Sequence, residues 1–217
     1  MVVEIKGESI QVRKGAPDLN VAIESLTGEL ESLRFLLPED YSGLIIDGGG
    51  YIGTTAIALH RMFPKAKIVV IEPSSSNLRI LKRNVGAIKG ISVIHGALVG
   101  SASDGVTVFD PKEKEWGFTT STRHIGATPD SKLEVVPSVT LRELYTTHGE
   151  IGILKLDIEG GEADVLKDVG DSQMVFAMFV ELHERFVEGC SAAFWKFSAN
   201  RAVIKSSGEK FLSIRID

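Results

Sequence analysis

The chain has 217 residues, of which 43% are hydrophobic and 24% charged, and a net charge of −5. That is enough for one domain of ordinary size with a substantial core, and an acidic balance with both signs interspersed argues against nucleic acid as the main partner. One cysteine, Cys190, excludes an internal disulfide and fits a reducing cytosol. The opening MVVEIKGESI has no basic start followed by an apolar core, and no apolar run is long enough to cross a bilayer, so a cytoplasmic protein without a membrane span is expected.

In chain order, VVEIKGESIQVRK alternates around Gly7 and predicts a hairpin or a long edge strand. NVAIESLTGELESLRFLL has helical spacing with a break at Gly28, and Pro38 closes it. These segments form an N-terminal arm, 1–43, packed on a core domain, 44–217. In the core, LIID is a buried strand and TTAIALHRMF a helix; AKIVVIE is a strand and SSNLRILKRNVGAI a helix; ISVIHGALV is a third strand. Residues 100–137 break the rhythm with two extra strands, VTVFD and KLEVVPSV, around a polar loop whose KEKE reads as a solvated face. TLRELYTTHG is a helix with a capping box from Thr140 to Glu143. IGILKLDIE, GEADVLKDV and VFAMFVELH continue as strand, helix, strand; SAAFWKFSAN is helical, and RAVIKSS and EKFLSIRI close the chain as a hairpin through Gly208.

Continuous apolar strands alternating with helices predict an α/β fold, a mostly parallel sheet covered on both faces. Ligands in such sheets bind beyond the carboxyl ends of the strands. The residues there are Asp47, Glu72, His95 to Ala97, Asp157 to Glu159, and Glu181 to His183. A core strand has no need of carboxylates at one common edge.

Gly48, Gly50 and Gly53 fit G-x-G-x-x-G, where glycine allows a tight turn and close approach of a ligand to the backbone. Asp47 directly precedes them and would repel a pyrophosphate, but it suits a cationic ligand. Glu72 ends the next strand, where a carboxylate can accept both hydroxyls of a ribose. A positively charged nucleoside without phosphates is S-adenosylmethionine.

Together IIDGGGYIGTTAIAL, VIEPSSSNLRILKRNV, IHGALVGSASDG, ILKLDIEGGEADVLKDV and VELHERF resemble the FkbM family of S-adenosylmethionine-dependent methyltransferases. The resemblance implies a class I, Rossmann-like methyltransferase sheet of seven strands with an antiparallel C-terminal hairpin. It implies O-methylation of a small-molecule, sugar or natural-product hydroxyl. Cofactor binding then falls to Asp47, Gly48, Gly49, Gly50, Tyr51 and Gly53, to Glu72 and Pro73, to Gly96 and Ala97 near the adenine, and to Asp157. Gly50→Val is expected to abolish cofactor binding while the fold survives.

An aliphatic hydroxyl needs its proton drawn off, and Asp157, Glu159 and His183 are the candidate catalytic groups. A divalent metal on Asp157 and Glu159 is another way to acidify the hydroxyl, but the donor set is too small to assign one, and no metal site is expected. Glu162 reads as structural at a helix start. Trp116 and Phe118 are either a substrate lid or a pin that holds the loop to the core. An NAD-dependent oxidoreductase shares the glycine pattern, but neither Asp47 nor LDIEGGE suits it. A nucleoside-binding domain without catalysis is the non-enzymatic rival.

Overall fold

The computed structural model describes residues 1–112 and 115–216, so part of KEKE lies outside the described residues. The main sheet has seven strands: β1 Leu44–Gly48, β2 Lys67–Glu72, β3 Ile91–His95, β4 Ile151–Leu156, β5 Val175–Glu181, β6 Arg201–Lys205 and β7 Lys210–Arg215. Their order across the sheet is β3-β2-β1-β4-β5-β7-β6. The first five are mutually parallel, and β7 runs antiparallel between β5 and β6. The class I methyltransferase arrangement is therefore present. The C-terminal hairpin is folded so that its second strand, not its first, enters the sheet beside β5.

Alternation along each strand sends side chains to two separate cores. Ile45, Ile68, Val70 and Phe179 meet helices α1 (Asp18–Thr27), α2 (Thr54–Met62) and α3 (Ser75–Val85) on one face. Leu44, Ile46, Val69 and Leu154 meet α4 (Leu141–His148), the single turn α5 (Glu162–Val165) and α6 (Cys190–Phe197) on the other. The register of β4 against β1 shifts between Ile151 and Ile153, which moves these two residues to opposite faces.

The N-terminal hairpin pairs Val2–Ile5 with Glu8–Gln11, and Ile10, Val12, Ala22 and Leu26 join the first core. These apolar residues lie against α2 and α3. Two expected elements differ. ISVIHGALV divides at Gly96: β3 stays in the main sheet, and Ala97–Leu98 pairs instead with Ser138–Val139. The helix expected over GEADVLKDV stops after Val165. Asp168 is extended there, and its carboxylate accepts a hydrogen bond from the Gly170 N–H at 2.9 Å, which starts a 3₁₀ turn instead. The 100–137 insert is built on the antiparallel pair Val106–Phe109 and Lys132–Val136. Among the described residues no helix is long and apolar enough to cross a membrane.

Candidate active site

Strand order reverses at β1, whose neighbours β2 and β4 lead away in opposite directions. A cavity of about 470 Å³ opens there, beyond the carboxyl ends of β1, β2, β4 and β5, within the usual range of roughly 300–1,000 Å³ for ligand sites.

The glycine turn forms its floor. Gly49 has φ +80°, Tyr51 +48° and Gly53 +88°. Gly49 carries the tightest restriction, since a Cβ there would overlap the Asp157 carbonyl oxygen. Gly50 lacks a positive φ; a Cβ on it would strike the Val70 and Leu81 side chains in the core. The expectation that Gly50→Val spares the fold is therefore corrected: its missing side chain is a packing requirement of the α3 face. Gly49 and Gly50 donate their N–H groups to the Ile71 carbonyl at 3.0 and 3.1 Å, Tyr51 donates to Glu72 Oε2 at 2.8 Å, and Gly53 to the Gly50 carbonyl at 2.7 Å. Four amides of the turn, those of Gly49, Gly50, Tyr51 and Gly53, are thus already engaged.

Glu72 lines the cavity but is only 3% exposed. Oε1 accepts from the Ser74 N–H at 2.8 Å and from Asn77 Nδ2 at 3.4 Å. Burial pushes its carboxyl up to about 7 against the opposing pull of the Ser74 and Tyr51 hydrogen bonds. A carboxylate offers about four acceptor sites, and three are taken by Tyr51, Ser74 and Asn77.

Asp47, Gly48 and Gly53 do not reach the cavity wall. Asp47 is fully buried beneath it; neither carboxylate oxygen has a hydrogen bond, and Lys155 Nζ stands 3.3 Å away as an ion pair. Lys155 is the wall residue in its place. It donates to the Gly49 carbonyl at 3.0 Å and lies 3.6 Å from Asp157 Oδ2. Burial opposes its charge, but Asp47 and Asp157 outweigh burial and hold the ammonium above the ordinary lysine range. A lysine inside the apolar strand ILKLD was the sequence signal for this role. Pro73 and Ala97 line the cavity, whereas Gly96 does not.

Asp157, Glu159 and His183 converge beyond the ends of β4 and β5, with one ligand-type atom from each within 4.8 Å of the others. Glu159 has φ +50°, which turns it off the line of β4. His183, 1% exposed, has Nε2 3.4 Å from Glu159 and 3.7 Å from Asp157, while Nδ1 lies 3.1 Å from Glu162 Oε1. Glu162 is fixed in turn by the N–H groups of Ile158 at 2.9 Å and Gly160 at 3.0 Å. Burial favours neutral imidazole, yet the bond to Glu162 and the three surrounding carboxylates raise His183 to about 10. Desolvation pushes Asp157 up, but Lys155 and His183 prevail and hold it below the usual range. Burial raises Glu159 to about 8 despite His183.

The remaining walls come from distant segments. Trp116, Gly117, Phe118 and Thr120 of the insert line one side, and Glu24 and Ser25 of α1 with Glu29 just past its end line another. Lys210 ion-pairs with Glu29 and stands 3.5 Å from Glu181. The contribution of α1 was not visible in the sequence, because nothing in its spacing marks one of its faces as wet.

The family model for the methyltransferase FkbM domain matches residues 47–211. The chain belongs to the FkbM methyltransferase family. Methyltransferase sdnD of Sordaria araneosa is 29% identical over 171 residues, covering 64% of this chain and 66% of that protein, just under two thirds of its length. Among solved structures, methyltransferase FkbM from Methylobacillus flagellatus KT superposes with a TM-score of 0.52 at 14% identity, over 83% of this chain and 45% of that one. Aeropyrum pernix fibrillarin, solved with natively bound S-adenosyl-L-methionine, gives 0.50 at 14% identity, over 99% and 82%. These two likenesses establish the fold. The family match begins at Asp47, so the arm lies outside it.

Proposed function

We propose that the chain is an S-adenosylmethionine-dependent O-methyltransferase acting on a small-molecule or glycan hydroxyl. The observation that carries this reading is the glycine turn whose amides at Gly49, Gly50, Tyr51 and Gly53 are all bonded within the protein. A pyrophosphate needs such amides free, and the cavity's carboxylates repel it. A nucleoside without phosphates needs only a carboxylate for its ribose, and Glu72 presents one. The donor set therefore fits S-adenosylmethionine and disfavours NAD.

The cofactor, when bound, supplies a methyl group already activated on a sulfonium. Glu72 and the turn fix the nucleoside. Asp157 and the other carboxylates on the walls offset the positive end, since Asp47 does not reach the cavity. Trp116 and Phe118 exclude water from the acceptor's side. The acceptor hydroxyl would give up its proton to a carboxylate beside His183 as its oxygen attacks. His183 is held protonated by its three carboxylate neighbours, so a carboxylate takes the proton and His183 stabilises the charge that results. Alignment inside the cavity supplies the rest of the acceleration.

A second reading of the same wall has an observation of its own. Nε2 of His183 faces two carboxylates while Glu162 orients the ring from behind, the outer-shell arrangement of many metal-bound histidines. A divalent cation would displace the imidazole proton and acidify the hydroxyl directly.

Isothermal titration with S-adenosylhomocysteine and with NAD tests the cofactor. Tight binding of NAD with none of S-adenosylhomocysteine overturns the reading. Product formation over a panel of hydroxylated acceptors separates an enzyme from a nucleoside-binding domain. Activity that survives exhaustive chelation excludes the metal.

A further inference from the structure

A chain of polar contacts links three segments around Glu72. Arg13 and Asp18 flank the start of α1 in the arm. Asp18 is fully buried; its Oδ2 accepts the Arg13 backbone N–H at 2.7 Å, and its Oδ1 accepts Arg13 Nη2 at 2.8 Å and the Tyr51 hydroxyl at 2.5 Å. The Arg13 guanidinium also lies 5.3 Å from the centre of the Tyr51 ring. Its Nη1 donates to Asn77 Oδ1 at 2.9 Å. Asn77 then donates from Nδ2 to Glu72 Oε1 at 3.4 Å and to the Glu115 carbonyl at 2.9 Å, beside Trp116 of the insert. Tyr51 completes the ring through its backbone N–H on Glu72 Oε2.

Two features make this more than packing. Tyr51 is a non-glycine residue at φ +48°, a strained conformation that persists only where its surroundings impose it. The Asp18 carboxylate and the Arg13 guanidinium grip its side chain and supply that constraint. Glu72 is held on both oxygens by residues that the same network positions. A fork-shaped guanidinium suits this task, because one group must reach a carboxylate and an amide together.

We propose that the arm is part of the cofactor site: Arg13 and Asp18, outside the matched family domain, set the conformation of Tyr51 and the aim of Glu72, and so determine cofactor affinity. They are positioning residues and touch no reacting atom. The inference rests on the reading of Glu72 as the ribose acceptor. Through Asn77 the same network carries the state of Glu72 to the Glu115–Trp116 backbone, so the acceptor wall responds to cofactor binding.

The test uses the full chain and S-adenosylhomocysteine. Tyr51→Phe keeps the ring and its packing but removes the hydroxyl that anchors it; Arg13→Gln and Arg13→Lys remove the fork. Each is measured by calorimetric titration, thermal melting and Trp fluorescence. The expected result is a three- to tenfold loss of affinity in Tyr51→Phe and a loss of roughly tenfold or more in Arg13→Gln, the order of one charged hydrogen bond. Arg13→Lys should recover only part of it. Once an acceptor is in hand, KM for S-adenosylmethionine should rise with kcat unchanged. Ligand-induced fluorescence change at Trp116, identified by its absence in Trp116→Phe, should shrink in Arg13→Gln. Wild-type affinity in a folded Tyr51→Phe and a folded Arg13→Gln overturns the proposal. If Arg13→Gln does not fold, Tyr51→Phe decides alone. A wild-type protein that binds no S-adenosylhomocysteine sinks the cofactor reading itself, an outcome distinct from variants that bind as well as wild type.

Discussion

The two walls of the cavity are built on different principles. The cofactor side, from Gly49 to Tyr51 with Glu72, consists of backbone and buried groups whose residue types are dictated by geometry: a positive φ, an absent Cβ, a carboxylate that must receive amides. The acceptor side draws on α1, the insert and the ends of β4 and β5, and its members are charged or aromatic side chains from segments far apart in sequence. The first wall tolerates little change in any one chain. Substitutions on the cofactor wall should therefore damage fold and binding together, and those on the acceptor wall should damage turnover alone.

The largest effect is expected at Gly49. A side chain there needs φ +80° and overlaps the Asp157 carbonyl. Left-handed strain of about 1–2 kcal/mol adds to overpacking of about 1–3 kcal/mol, a large share of a typical stability of about 5–15 kcal/mol. Gly49→Val should unfold the chain or lower its denaturant midpoint sharply, and Gly50→Val should follow it closely through Val70. Near-native melting of either would show that the turn can move, and the contrast between the walls would weaken.

Glu159→Gln probes the other wall. It removes the Glu159 carboxyl beside His183 and leaves the turn intact, and the comparison is made above about pH 8, where that group is ionised. Turnover should fall roughly 10²–10⁴-fold, the usual contribution of a positioned acid or base, with S-adenosylhomocysteine affinity within about twofold of wild type by calorimetry. A comparable loss of cofactor affinity would merge the two walls into one.

The difference between the walls also explains what could be read in the sequence. Gly49, Gly50, Glu72 and Pro73 were legible because local geometry restricts them to few residue types. Asp157, Glu159 and His183 were legible as polar strand ends. Asp47 looked like a ligand, yet the pleat turns it toward Lys155, on the same face of the sheet as Ile45 and Ile153 of the first core. Glu29, Lys210 and the Arg13–Asp18 pair were illegible: each lies in an ordinary amphipathic segment, and its meaning comes only from tertiary contact. The mostly parallel sheet followed from alternation, while the short α5 did not, because Asp168 favours a local turn over the helix its neighbours would support.

Glu72→Ala is expected to act on both affinity and stability. Losing the ribose acceptor should cost on the order of 10²-fold in S-adenosylhomocysteine affinity, from about 1.5–3 kcal/mol per charged hydrogen bond. A solvated strand-end carboxylate would leave melting unchanged, but this one is buried and receives the Tyr51 and Ser74 amides. Each amide left without a partner costs about 1–3 kcal/mol, so the melting temperature should drop as well. Glu72→Gln keeps one acceptor oxygen and should lose less of both. Unchanged melting in Glu72→Ala would mean that water replaces the carboxylate and that this wall is less constrained than its geometry implies.

The smallest effect is a pH dependence, and its sign follows from the same residue. Burial raises the Glu72 carboxyl from 4.5 to about 7 in the free protein. Ribose hydroxyls donate to the ionised form, so a proton on Glu72 competes with the cofactor. S-adenosylhomocysteine affinity should be flat above about pH 7 and weaken by up to about tenfold per unit below it. Stability without ligand runs the other way. The folded chain holds a proton that the unfolded chain has released between 4.5 and about 7, so this group's contribution is full below 4.5 and is lost as pH rises through about 7. Glu72→Gln carries no titrating proton and should flatten both curves. Titrations from about pH 6 to about pH 8 decide the matter: wild-type affinity that does not change over this range would mean that Glu72 is not in contact with the ribose, whatever the mutants do.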